Sequence, residues 1–169
     1  MFPRKKITHL AAALGITTAT ALALAAPAQA ADEPGKLTAR LTITELKTGN
    51  DCRVLTVGKV GMTHAQAQYL VDNGATARVE IWGEDPAYDN RMYKGPKATL
   101  SAVSDKNGGG LFIVSDLTLF CVKYLDEDNG PLLDIGDEIY TKIIFEAPGY
   151  QRMTKKSNVV HGSYGLFGT

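Results

Sequence analysis

Leu37, Ala39, Leu41 and Ile43 alternate with Thr38, Arg40, Thr42 and Thr44. A period of two predicts a strand with one face in a core and the other in water. Thr48-Gly49-Asn50-Asp51 interrupts the pattern, and Cys52 to Val60, rich in Val and Leu, resumes it, so the two segments read as a hairpin. The period then changes. In "THAQAQYLVDNG", Ala67, Leu70 and Val71 share a face at helical spacing. Thr63 followed by Gln66 has the form of a capping box, and Asn73-Gly74 supplies a stop, which together predict one short helix. His64 falls in its first turn, where it reads as a surface residue beside the cap.

Alternation returns at Ala77, Val79 and Ile81, with Arg78, Glu80 and Trp82 on the opposite face. Further strands are predicted over residues 97–104, 111–114, 117–124, 138–146 and 151–160, followed by a glycine-rich tail over 162–169. Gly108 to Gly110 suit a hairpin tip; as a phosphate cradle they lack the following Lys-Ser/Thr and a helix. Seven or eight short strands with turn residues between them predict a mainly-β protein, an antiparallel β-sandwich with one short helix. An immunoglobulin-like strand order stays open, because a tryptophan lies between two cysteines while the rest of that motif is incomplete.

The first thirty residues follow another rule. Arg4, Lys5 and Lys6 precede an uncharged run through Ala26, and Pro27-Ala28-Gln29-Ala30 places small residues before Ala31. This is the layout of a secretory signal peptide over 1–30. The competing reading is a membrane anchor, since about 19 uncharged residues just suffice to span a bilayer. The run is rich in Ala and Thr rather than Leu and Ile, however, and is similar in style to export signals of high-GC Gram-positive bacteria. The expected organisation is a signal peptide over 1–30, a flexible leader over 31–36 and a single domain over 37–169. The expected location is extracellular, with no membrane span after cleavage.

Export changes the charge. The chain has 18 basic and 18 acidic residues, three of the basic ones within 1–30, so the remainder carries 15 against 18, a net charge of about −3. An acidic domain offers no overall attraction to nucleic acid. The two cysteines, Cys52 and Cys121, are expected to pair as one disulfide in an oxidising compartment. A catalytic thiol with His64 or His161 is the weaker reading.

Candidate chemistry is confined to acidic turns. "LDEDNGPLLDIGDEIY", residues 125–140, fits no register of the calcium helix-loop-helix, which needs Asp or Asn at positions 1, 3 and 5, Gly at 6 and Glu at 12. Two loops meeting at one end of a sandwich offer another route to Ca²⁺. Glu84, Asp85 and Asp89 would come from "WGEDPAYDN", and Asp126, Asp128 and Asp137 from the second loop. Against this, Asp, Asn, Gly and Pro are the ordinary residues of turns, where their side chains bond their own backbone. Glu84 with Asp126 is the carboxylate pair a hydrolase would use, but nothing in the sequence sets their separation. There is no G-x-S-x-G or H-E-x-x-H motif, and two His with two pairing Cys are too few for zinc. Trp82, Tyr88 and Tyr93 cluster around the first acidic loop as a surface for an extracellular protein or glycan.

The segments "HAQAQYLVDNG", "IWGEDPAYDN" and "LDEDNGPLLDIGDEIY" resemble a family of small exported actinobacterial proteins, over residues 60–160. That resemblance implies export and carries no activity. The expected function is a secreted, non-catalytic binding module using the acidic, aromatic loop end, with Ca²⁺ as its one candidate ion. The alternatives are an inhibitor of extracellular proteases, presenting residues 47–53 beside the disulfide, and a carboxylate hydrolase.

Overall fold

Nine strands and three short helical segments follow in the order β1 (Leu37–Glu45), β2 (Asp51–Val60), α1 (His64–Asp72), β3 (Thr76–Gly83), β4 (Asn90–Lys97), β5 (Thr99–Val103), a 3₁₀ turn (Asp105–Asn107), β6 (Gly110–Phe120), α2 (Cys121–Tyr124), β7 (Asp137–Glu146), β8 (Met153–Lys156) and β9 (Val160–Gly162). The structure is a computed structural model and describes residues 35–47, 50–85, 88–127 and 136–165. The chain divides into two units, 1–30 and 31–169, and every described residue belongs to the second. The segment expected to be a signal peptide therefore lies outside the described residues.

All pairings between strands are antiparallel, in two sheets: β1-β2-β6-β5, and β4-β3-β7-β8 with β9 also on β7. This is the immunoglobulin-like Greek-key order, four strands ABED on one side and C′CFG on the other. Two marks of that fold are arranged differently. The disulfide joins β2 to the turn after its neighbour β6, within one sheet, and Trp82 on β3 points away from the core.

The interior has two apolar clusters. One gathers Val60, Ala67, Leu70, Val79, Leu111, Ile143 and Phe145 near α1. The other gathers Leu41, Val54, Ile81, Leu125, Ile139 and Tyr164 around the two cysteines. Between them Thr56 and Thr141, both fully buried, bond hydroxyl to hydroxyl across the sheets at 3.2 Å. Pairing satisfies two groups that would each be costly to bury alone. The helix forms as its caps dictate. Thr63 accepts from Gln66 N, the Gln66 side chain accepts from Thr63 N, and Gly74 follows at φ +82. Ala67 and Leu70 are its buried residues.

Tertiary context redrew four segments. Residues 111–114 and 117–120 belong to one strand, because Ser115 faces inward beside Thr56 while Asp116 faces water and takes both arms of Arg53 across β2 at 2.6 and 2.8 Å. The strand expected to reach Tyr124 stops at Phe120. There β6 runs out of partner, since β2 begins opposite at Asp51; Cys121 N bonds Asn50 O and the chain coils into α2. β4 was hidden in the sequence by Gly95 and Pro96. It is an edge strand with register shifts on β3, where a proline is tolerated and where a Cβ on Gly95 would strike Val79 O at 2.7 Å.

The strand expected over 151–160 is two strands broken at Ser157–Val159. Ser157 N bonds Thr141 O and its hydroxyl accepts from Thr141 N. Asn158 reaches the other sheet, its amide accepting from Leu41 N at 2.9 Å and donating to Leu41 O at 3.2 Å. One side chain thus closes the edge of β1 as a neighbouring strand would. No helix among the described residues is long and apolar enough to cross a membrane.

Candidate functional site

The described ends of the two acidic loops adjoin. β3 and β7 are antiparallel, with Gly83 opposite Ile139, so the exit of β3 and the entry of β7 lie at the same end. Glu84 N donates to Glu138 O at 2.8 Å. The Glu127 carboxylate fills the space that a side chain at Gly83 would need, and accepts from Glu138 N at 3.4 Å.

Three of their carboxylates, however, face fixed partners. Buried Asp137 accepts from Glu127 N at 2.5 Å and from Tyr164 N at 2.8 Å, tying both the loop and the chain after β9 to the start of β7. Glu84 pairs with Lys156 Nζ at 2.6 Å, and Asp89 accepts from the Tyr140 hydroxyl at 2.6 Å. Asp126 lies beside Gly165, and Asp85 is half-buried where the first loop leaves β3. Asp128 lies outside the described residues. Among the described residues no three His, Cys, Asp or Glu side chains come together as a group able to hold a metal ion.

The three aromatics of the first loop are separated. Tyr88 is 76 % exposed. Tyr93 turns inward and packs edge-on to Tyr124, centroids 5.0 Å apart, beside the disulfide cluster. Trp82 lies on the outer face of the five-stranded sheet. There it stacks with Tyr140, directly opposite on β7, at 6.4 Å and 12° between planes. Two lysines complete the group: Lys142 Nζ sits 3.9 Å over Trp82, and Lys156 Nζ sits 3.8 Å over Tyr140. The Trp82 indole N–H is buried and makes no hydrogen bond within the described residues. Beside this group Glu80, 4 % exposed, is flanked by Arg78 at 3.5 Å and Arg91 at 3.6 Å.

No local pattern marks Tyr140, Lys142 and Lys156 as residues of one surface. Alternation alone puts Trp82 and Tyr140 each on one face of its own strand. Only the register of β3 with β7, and of Lys142 with Lys156 across β8, brings them together.

Two phenols here ionise late. Burial first, then the bond to Asp89 and the charges of Asp89, Glu84 and Glu127, hold the Tyr140 hydroxyl well above the usual tyrosine range. Burial, with Glu45 and Asp137 nearby, pushes Tyr164 up to about 12. The folded state therefore keeps protons that the unfolded chain releases near the ordinary value of 10. Their stabilisation is whole below that pH and lost as pH rises through about 12. Urea melts should show stability falling across that window, and Tyr164→Phe should flatten part of the fall; equal slopes in the two proteins would refute the assignment.

The disulfide forms as expected. Cys52 and Cys121 are joined with Cα atoms 5.3 Å apart, and no free cysteine is found among the described residues. A cleft of about 80 Å³ opens beside it, lined by Glu45, Asn50, Asp51, Cys121 and Tyr164 among others. No family model and no curated protein matches the chain.

Proposed function

We propose that the protein is exported and acts outside the cell as a non-catalytic binding module. Its working surface is the outer face of the five-stranded sheet together with the loop from Glu84 to Asp89. The observation that carries this reading is the partly exposed Trp82 indole with the Lys142 ammonium 3.9 Å over it, followed along the chain by the exposed Tyr88, while fully buried Tyr140 backs the indole from beneath. Rigid aromatics give contact area at little entropic cost, and cations beside them add direction. The disulfide supports an oxidising compartment.

The test is a panel of immobilised extracellular polysaccharides and secreted proteins, probed with wild type and with Lys142→Gln/Tyr88→Ala. Wild type should be retained by at least one member and release no product from it, and the variant should lose about tenfold in affinity, the scale of one strong contact. Retention indifferent to both substitutions, or turnover, would sink the reading.

A second reading keeps the protease inhibitor. Asn50 O is held by Cys121 N at 2.7 Å next to the disulfide, which stiffens the chain where residues 47–53 would be presented. Inhibition of a secreted protease that is abolished by reduction would favour it.

A further inference from the structure

Charge on the outer face of the five-stranded sheet runs opposite to that of the domain. Residues 31–169 carry a net charge of about −3, yet six of their cations, Arg78, Arg91, Lys94, Lys97, Lys142 and Lys156, stand on this face. Register concentrates four of them. Lys94 and Lys142 lie opposite Glu80 from either side, Lys97 lies opposite Arg78, and Arg78 itself contacts Glu80. One buried carboxylate therefore sits among several cations. Lys94 and Lys97 are exposed, and Lys142 has no ion-pair partner among the described residues, only the rings of Trp82 and Tyr140. Glu84, Asp89 and Glu138 lie toward the loop end, and Glu146, paired with Arg152, lies beyond Arg78 at the other end, so the positive part is the middle of the face about Lys94, Lys97 and Arg78.

From this arrangement we infer that the surface proposed above takes an anionic polysaccharide, a chain of sugar carboxylates lying across β4, β3 and β7. The inference rests on that proposed surface and adds its ligand class. Three features favour this occupant. Spread cations along extended strands match charges repeated along a polymer better than a single anion. The partly exposed Trp82 indole, with Lys142 Nζ 3.9 Å over it, gives a sugar ring an apolar contact next to those charges. The acidic loop end would repel a long polyanion that overran the patch, limiting the contact to a few sugar units.

The test uses the secreted protein and polygalacturonate, with dextran of equal length as the neutral control and duplex DNA as a competitor. Polygalacturonate should bind and dextran should not. Affinity should fall as salt rises from about 0.1 M to about 1 M, which shortens the screening length from about 10 Å to about 3 Å. Lys94→Gln/Lys97→Gln/Lys142→Gln should lose about tenfold, the sum of three ion pairs near the middle of the exposed range. The control Lys47→Gln/Lys106→Gln/Lys123→Gln makes the same charge change elsewhere and should lose far less. Equal losses in the two triple variants, or DNA competing as well as polygalacturonate itself, would overturn the inference by reducing it to net charge. Failure with polygalacturonate alongside a neutral ligand lost in Lys142→Gln/Tyr88→Ala would overturn this inference and leave the binding surface standing. Retention of nothing by wild type would overturn both.

Discussion

Reducing the Cys52–Cys121 bond, or replacing both residues with Ala, should cost about 2–5 kcal/mol of stability. The bridge spans 69 residues, and closing a loop of that length removes unfolded-state entropy worth roughly 4 kcal/mol. The folded side adds to this. Cys52 is fully buried and Cys121 nearly so, and both belong to the apolar cluster with Leu125, Ile139 and Tyr164. Sulfur removed from that cluster leaves unfilled space. Urea denaturation with and without reductant measures the effect. The midpoint should drop and the slope should rise, because an uncrosslinked chain exposes more surface on unfolding. A loss under about 1 kcal/mol would mean that the denatured chain is already compact around the bridge.

Asp137→Ala should have the second largest effect, about 2–4 kcal/mol. Its carboxylate accepts two backbone N–H groups in a site 2 % exposed, and bonds to a charged acceptor contribute about 1.5–3 kcal/mol each, offset in part because alanine no longer has a carboxylate to bury. Alanine would leave the amides of Glu127 and Tyr164 buried without a partner. Asp137→Asn keeps one acceptor oxygen but turns an NH₂ toward the other amide, so it should lose about half as much. The neighbouring Glu138→Gln breaks only an exposed contact to His161 at 3.5 Å and should change stability by less than about 0.5 kcal/mol. Hydrogen exchange locates the damage, because in Asp137→Ala the amides of Glu127 and Tyr164 should exchange faster than those of α1. Uniform acceleration across the domain would instead show that the clasp and the core open together.

Cys52, Cys121 and Asp137 mark how far the chain is legible from its sequence. Pairing of the cysteines is legible from their number together with the oxidising compartment that the first thirty residues lead one to expect. Asp137 was seen as a candidate ligand, one carboxylate in an acidic run. Its role as a clasp depends on two amides, one 10 and one 27 residues away, which no local pattern announces.

Local alternation and capping determined β1, β2, α1, β3 and the sandwich itself, because the periods of strand and helix are set by backbone geometry within a few residues. The adjacency of the exit of β3 and the entry of β7, where the acidic segments attach, followed once those strands were antiparallel. Tertiary structure alone decided four things: that β6 runs unbroken through Ser115 and Asp116, that β4 pairs despite Pro96, that Cys121 begins a helical turn, and that Asn158 closes the edge of β1. Each depends on whether a neighbouring strand is present to accept a hydrogen bond. The aromatic and basic face belongs to the same class. Trp82, Tyr140, Lys142 and Lys156 come from three strands up to 74 positions apart. They meet because inter-strand register, a long-range property, sets which outward side chains are neighbours.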